Sequence, residues 1–320
     1  MRIFIAGATG TLGLPLVRAL VAKNHQVTGL TRSPEKRRTL EQAGATVAVA
    51  NALNARDLKQ VLRSAAPNCV IDLLTAIPKN GPIRASQMKA TNRLRIVGTT
   101  NLLNAAIAGG CKRIIGESMI FAYGFGDHGE AFWTEGDTLQ PRETNLRLQE
   151  IVDAIRSLEE HLLAAHAQGL IETTILRYGL LYGAASESTR YMLGLIKRRL
   201  LPMVAGAQGI GSWIHLDDAV CATVAAVEAA QPERIYNIVD DHPTSFNDWI
   251  VHASCALGAK RPFSIPLWLL RLFMPFTAEM FSTRLRVSNQ KAKSGLEWQP
   301  KFHSYRVGLQ QVVAEYEKSI

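Results

Sequence analysis

A chain of 320 residues with 47% hydrophobic and 20% charged side chains can bury a large core, which excludes a disordered or low-complexity protein. The formal charge of +9 would suit nucleic acid. However, the basic runs Lys36-Arg37-Arg38 and Lys197-Arg198-Arg199 lack interleaved aromatics and sit in no nucleic-acid motif, so the charge is read as a field that draws phosphate into a cleft. Cys69, Cys111, Cys221 and Cys255 form no C-x-x-C pair, which argues against a disulfide framework or a zinc site, so no metal is expected and a reducing cytoplasm fits.

In chain order, the sequence opens directly on a strand, 2–6, with no signal-peptide layout. A helix over 11–23, a strand over 26–30 and a helix over 34–43 follow. Strands at 46–50, 69–74 and 113–116 alternate with helices at 55–64 and 89–108. Strands this apolar, separated by helices, indicate an α/β fold with a doubly wound parallel sheet. A loop is expected over 124–143, then a long helix over 146–166 and a strand over 172–176. Beyond these the pattern is irregular, with strands at 212–215 and 234–239 and helices at 217–229, 246–257 and from 305. The expected division is a dinucleotide-binding domain over 1–183, with 210–232 packing back onto it, and a smaller α/β substrate lobe over 184–320. The longest apolar run, 265–276, is too short to span a bilayer and contains Pro266, Arg271 and Pro275, so no integral membrane segment is expected.

The strongest local signal is Gly7-Ala8-Thr9-Gly10-Thr11-Leu12-Gly13, between the first strand and first helix. Glycines at this spacing allow a tight turn, close approach of backbone to a pyrophosphate and close helix–strand packing, with the anion at the helix amino end. The second strand ends in Thr31-Arg32-Ser33 with no acid before Glu35. An acid there would accept from the ribose hydroxyl of NAD; Arg32, with Ser33 and Arg37 in support, instead suits the 2′-phosphate of NADP(H). Asn51 and Ala52 at the third strand end, and Leu74, Thr75 and Ala76 at the fourth, are expected on the adenine-ribose side.

The chain resembles the extended short-chain dehydrogenase/reductase superfamily, also called the NAD-dependent epimerase/dehydratase family. The resemblance rests on Gly98-Thr99-Thr100-Asn101-Leu102-Leu103, Tyr123-Gly124, Leu176-Arg177-Tyr178 through Tyr182-Gly183, His215-Leu216-Asp217-Asp218-Ala219 and Trp298-Gln299-Pro300. It implies catalysis by a Tyr and Lys spaced Y-x-x-x-K, a Ser and often an Asn. No tyrosine of this chain is followed four residues on by lysine. Matched to the family pattern, Val152 and Arg156 (or Ile151 and Ile155) stand for the Tyr and Lys, Met119 for the Ser and Arg95 for the Asn. Candidate replacements for the relay are Tyr178, which would also touch the nicotinamide, His128 in the loop after the fifth strand, and Ser118. Met119, Tyr123, Arg95, Tyr182, Tyr191 and Trp268 are expected around the substrate.

These readings lead to an NADPH-dependent reductase of a small apolar metabolite, a ketone or an activated alkene. The alternatives are a non-redox isomerase or cyclase, a nucleotide-sugar epimerase or dehydratase, and a non-catalytic NADP(H) sensor. A small-molecule substrate is the expected partner, and a homodimer is compatible with all four.

Overall fold

The structure is a computed structural model that describes residues 1–139, 143 and 145–318. Its strands are β1 (Arg2–Ala6), β2 (Gln26–Thr31), β3 (Thr46–Val49), β4 (Cys69–Asp72), β5 (Arg113–Met119), β6 (Asp127–Trp133), β7 (Glu172–Tyr178), β8 (Leu180–Tyr182), β9 (Met203–Ala205), β10 (Trp213–His215), β11 (Ile235–Ile238), β12 (Ser264–Pro266) and β13 (Arg284–Val287). The helices are α1 (Gly13–Ala22), α2 (Arg37–Gln42), α3 (Ala55–Ala65), α4 (Lys89–Arg93), α5 (Thr99–Ala108), α6 (Leu146–Ala167), α7 (Glu187–Lys197), α8 (Leu216–Glu228), α9 (Phe246–Ala256), α10 (Leu267–Phe273), α11 (Pro275–Ser282), α12 (Gln290–Gly295) and α13 (Tyr305–Lys318). One π-helical turn, Leu94–Gly98, joins α4 to α5.

Seven strands form one parallel sheet in the order β11-β7-β5-β4-β1-β2-β3. Side-chain alternation sends Ile3, Ile5, Ile71, Ile115 and Leu176 to one face, where Leu16 and Leu20 of α1 and Ala219 and Ala222 of α8 cover them. Phe4, Val70, Ile114 and Ile175 point to the other, against Leu58 and Leu62 of α3, Leu102 of α5, and Leu158 and Leu162 of α6. Because both faces are covered, the strands read as unbroken apolar runs. The seventh strand, β11, comes from far down the chain, and α8 and α12 also pack on the sheet.

A second core joins α7, α9, α10, α11 and α13 around Leu193, Trp213, Trp249, Leu270, Phe281 and Leu309. Short parallel ladders β8–β10, β9–β12 and β6–β13 tie this part together. The last corrects the loop expected over 124–143. Residues 127–133 are extended because their partner is β13, more than 150 residues away. Arg284 and Arg286 of that strand pair with Glu130 at 2.6 Å each. No local alternation announces such a strand, since its register is set by a distant edge.

Candidate active site

The phosphate loop is shaped by close backbone approaches. Gly7 has φ +85°, and a Cβ there would lie 2.3 Å from the Leu73 carbonyl oxygen at the end of β4. A Cβ on Gly13 would fall 2.2 Å from the Gly7 oxygen. At Gly10 the nearest such neighbour is the Gly7 oxygen at 3.2 Å, and both Gly10 and Thr11 are exposed. The cradle is therefore closed underneath and open above. No side chain caps α1, and no acid stands in its first turn, so its amino end is available to an anion. These features fit a dinucleotide pyrophosphate. Thr9 is half-buried at the rim, and Leu12 is packed inside.

At the end of β2, Thr31 is buried and its hydroxyl accepts from the Ser33 N–H at 3.1 Å. Arg32 is exposed and has no ion pair among the described residues, whereas Arg37 lies 3.7 Å from Glu41. Asn51 is exposed with its side chain accepting from the Leu53 N–H, and Ala52 is buried. Leu74, Thr75 and Ala76 leave β4, with Leu74 N–H held by Asp72 and Ala76 N–H by the Thr91 hydroxyl.

The residues named for proton transfer lie in less open surroundings. Tyr178 is buried, its hydroxyl 2.6 Å from the Thr223 hydroxyl in α8, and burial pushes its phenol far above the ordinary range. His128 is on β6, not in a loop. It is packed edge-on against Trp133 at 4.8 Å with Nε2 3.2 Å from the Gly124 carbonyl, and burial lowers its pKa. Ser118 points to the α6 side of the sheet and donates to Glu159 at 2.5 Å; Glu159 in turn receives Arg177 at 2.6 and 2.8 Å. The Ser118 hydroxyl thus belongs to a buried ion-pair network.

The residues expected around the substrate are dispersed. Tyr123 is fully buried, donating to Thr134 and Asn237 beneath the Arg177 guanidinium, and Tyr182 lies in the second core. Tyr191 and Trp268 correct the expectation of pocket walls. They are exposed, Trp268 by 66%, because they stand on the outward faces of α7 and α10. Met119 is half-buried at the end of β5, and the narrow apolar crevice lined by Ile120, Phe121, Leu180, Phe246, Met280 and Leu285 has free space of only about 10 Å³. A wider groove near Glu135, His166, Glu233 and Lys291 opens at the start of β11, the edge of the sheet opposite the phosphate loop.

Three charged groups at the ends of β4 and β5 were not brought together by sequence reasoning. Asp72 is 1% exposed and accepts from the Thr99 hydroxyl at 2.6 Å and the Leu74 N–H at 3.1 Å. Burial still pushes its carboxyl up to about 6, against those hydrogen bonds and the Arg95 charge. Arg95, on the π turn, is also 1% exposed, and its Nε, Nη1 and Nη2 have no hydrogen-bond partner among the described residues. Burial pulls its pKa down, opposed by Glu117 and Asp72. Glu117, on β5, is partly buried, and its carboxyl is pushed up to about 7 by burial, with Arg95 opposing and Asp72 adding. A carboxylate in the otherwise apolar strand run Ile114-Ile115-Gly116-Glu117 is the signal that could have flagged it.

On helix α6, Val152, Ile151 and Ile155 are buried against apolar neighbours, and Arg156 donates from Nε to the Ala122 carbonyl at 2.9 Å. No group of three metal-ligating side chains occurs among the described residues. Nor is any helix among them long and apolar enough to cross a membrane.

A seven-stranded doubly wound parallel sheet with a glycine-built anion cradle on its first turn defines a dinucleotide-binding α/β protein. Residues 3–239 match the NAD dependent epimerase/dehydratase family, and the chain belongs to that family. It is 33% identical over 313 residues to a 3-diazoavenalumate denitrifying reductase of a Streptomyces species, covering 97% of this chain and 99% of that one. A Vibrio cholerae UDP-glucose 4-epimerase is 21% identical over 308 residues, covering 93% and 90%. The fold superposes on a Thermotoga maritima UDP-glucose 4-epimerase with a TM-score of 0.82 at 21% identity, covering 100% and 99% of the chains. Family membership and the full-length reductase relative establish an enzyme of the NAD(P)-dependent oxidoreductase, epimerase and dehydratase group.

Proposed function

We propose that this enzyme is an NADPH-dependent reductase that delivers hydride to a small, mostly apolar electrophile. The observation that carries the reading is a mismatch within one crevice: a complete dinucleotide cradle, and no Y-x-x-x-K anywhere in the chain to move a proton. The loop from Gly7 to Gly13 would hold the pyrophosphate. Arg32, with Ser33 and Arg37, would receive the 2′-phosphate, and Asn51, Ala52, Leu74, Thr75 and Ala76 would flank the adenosine half. When bound, reduced nicotinamide supplies a hydride. Met119, half-buried at the end of β5, would border the acceptor.

The acceptor class follows from the missing relay. A simple ketone needs a proton on its oxygen as hydride arrives, and an epimerase must first remove a hydroxyl proton; both call for the absent Tyr and Lys. A cationic acceptor needs neither. Replacing N₂ on a diazonium carbon by hydride gives R–H, N₂ and oxidised nicotinamide, with the C–N pair leaving in N₂ and no proton taken up. The reductase relative, named for denitrifying a diazo compound, supports this acceptor class over ketones.

The test is NADPH consumption with an arene diazonium carboxylate, a conjugated enone, a simple ketone and UDP-glucose. Oxidation of NADPH with N₂ release on the diazonium is expected, with slower turnover of the enone. Product from UDP-glucose without net NADPH consumption would replace the reading by an epimerase.

A further inference from the structure

We propose that Glu117 is a catalytic residue: its carboxylate stands at the nicotinamide end of the bound dinucleotide and, when ionised, stabilises the positive charge the ring gains as hydride departs. The proposal rests on the reductase reading and adds to it the group that favours hydride donation.

The phosphate loop sits directly on the end of β4, as the Gly7–Leu73 approach requires. Arg32 and Asn51, at the ends of β2 and β3, mark one side of that loop for the adenosine half. The sheet order β5-β4-β1-β2-β3 leaves β4 and β5 for the other half. Asp72 is in register with Gly116, so Glu117 lies one residue beyond the end of β4. Strand alternation puts Glu117 on the same side as Met119, opposite Ser118, whose hydroxyl is occupied by Glu159.

The buried guanidinium beside Glu117 has unmet hydrogen bonds. Glu117 is partly exposed and makes no hydrogen bond or ion pair among the described residues. Arg95, whose charge acts on it, is buried, with no partner for any guanidinium nitrogen among the described residues. A buried guanidinium with no partner calls for a bound group or ordered water to complete it. Arg95 is then a positioning residue that holds the carboxylate close to its charged form.

The charged and titratable groups acting on Glu117 come from three elements. They are Arg95 on the π turn, Asp72 on β4, and the Tyr178 phenol on β7, which feels the Glu117 charge. With its carboxyl near 7, Glu117 changes charge across neutral pH. A negative charge beside the ring favours the oxidised, cationic nicotinamide over the neutral reduced form, and by reciprocity the oxidised cofactor favours the ionised carboxylate.

The experiment measures dissociation constants of NADP⁺ and NADPH between pH 5.5 and 8.5 for the wild-type protein, Glu117→Gln and Arg95→Met, with melting temperature as the check on folding. Titration of the 2′-phosphate is common to both nucleotides and cancels in their ratio. In the wild type, NADP⁺ should gain about tenfold on NADPH as pH rises, the effect of about one unit of coupling. The gain should vanish in Glu117→Gln, and its midpoint should move up in Arg95→Met. A wild-type ratio that does not change with pH overturns the proposal even if the variants do not fold. So does a gain that survives in Glu117→Gln. Failure of either nucleotide to bind overturns instead the reductase reading on which the proposal stands.

Discussion

The two halves of the crevice are built on opposite principles. On the β1–β2 side, function is written in backbone: glycines whose missing Cβ atoms leave room at 2.2 and 2.3 Å, an uncapped helix end, and exposed Arg32. On the β4–β5 side it is written in buried charge: Asp72, Arg95 and Glu117, with two carboxyls raised and one guanidinium unpaired. The first half can be recognised from spacing alone, because only glycine fits those positions. The second half cannot, because what matters there is which side chains meet across strands. The difference teaches that one sheet can carry a turn shaped by glycine backbone at one strand end and a cluster of buried charge at another.

The largest expected effect tests whether the α6 side of the reaction end is structural. Arg177→Met leaves Glu159 buried with Ser118 as its remaining side-chain partner, and should cost about 3–5 kcal/mol in denaturant unfolding. A small loss would mean that the pair is not tightly desolvated and that Ser118 is freer than described.

Glu117 should show the opposite sign. Its raised carboxyl favours the neutral form in the fold, so stability from protonation is full below the unfolded value near 4.3 and is lost as pH rises through about 7. Glu117→Gln should therefore match the wild type only below about pH 4 and be more stable at pH 8 by about 1–3 kcal/mol. A destabilised variant at pH 8 would show that Glu117 holds the structure together, and the contrast between the two halves would weaken.

On the cofactor side, Arg32→Ala should weaken NADP(H) by about 1–3 kcal/mol and leave NAD(H) nearly unchanged, as titration of both nucleotides would reveal. Equal affinity of the wild type for the two would remove the 2′-phosphate assignment. The smallest effect is Tyr178→Phe, which loses one hydrogen bond to Thr223 and should cost about 1 kcal/mol of stability with hydride transfer intact at every pH. A fall in kcat would return Tyr178 to the role of proton donor.

Most of the central sheet was legible because strands at 2–6, 26–30, 69–74 and 113–116 are apolar, evenly spaced and separated by helices. The β6–β13 ladder was not, since its pairing spans the chain and its residues are polar. In the site, the backbone shape of the glycine loop was readable because it is set locally. Trp268 and Tyr191 were misplaced because an aromatic side chain on a short amphipathic helix does not say which face meets solvent. Glu117 went unnoticed for a related reason: its significance lies in Arg95 and Asp72, distant in sequence and joined only by the sheet.

The most direct test of the account follows one hydrogen. Single-turnover reduction of an arene diazonium carboxylate with NADPH deuterated at C4 should place deuterium on the product carbon. The same reaction with unlabelled NADPH in D₂O should place none there and run at an unchanged rate. Product hydrogen drawn from solvent, or product formed with the cofactor label retained, would contradict hydride delivery without a proton relay.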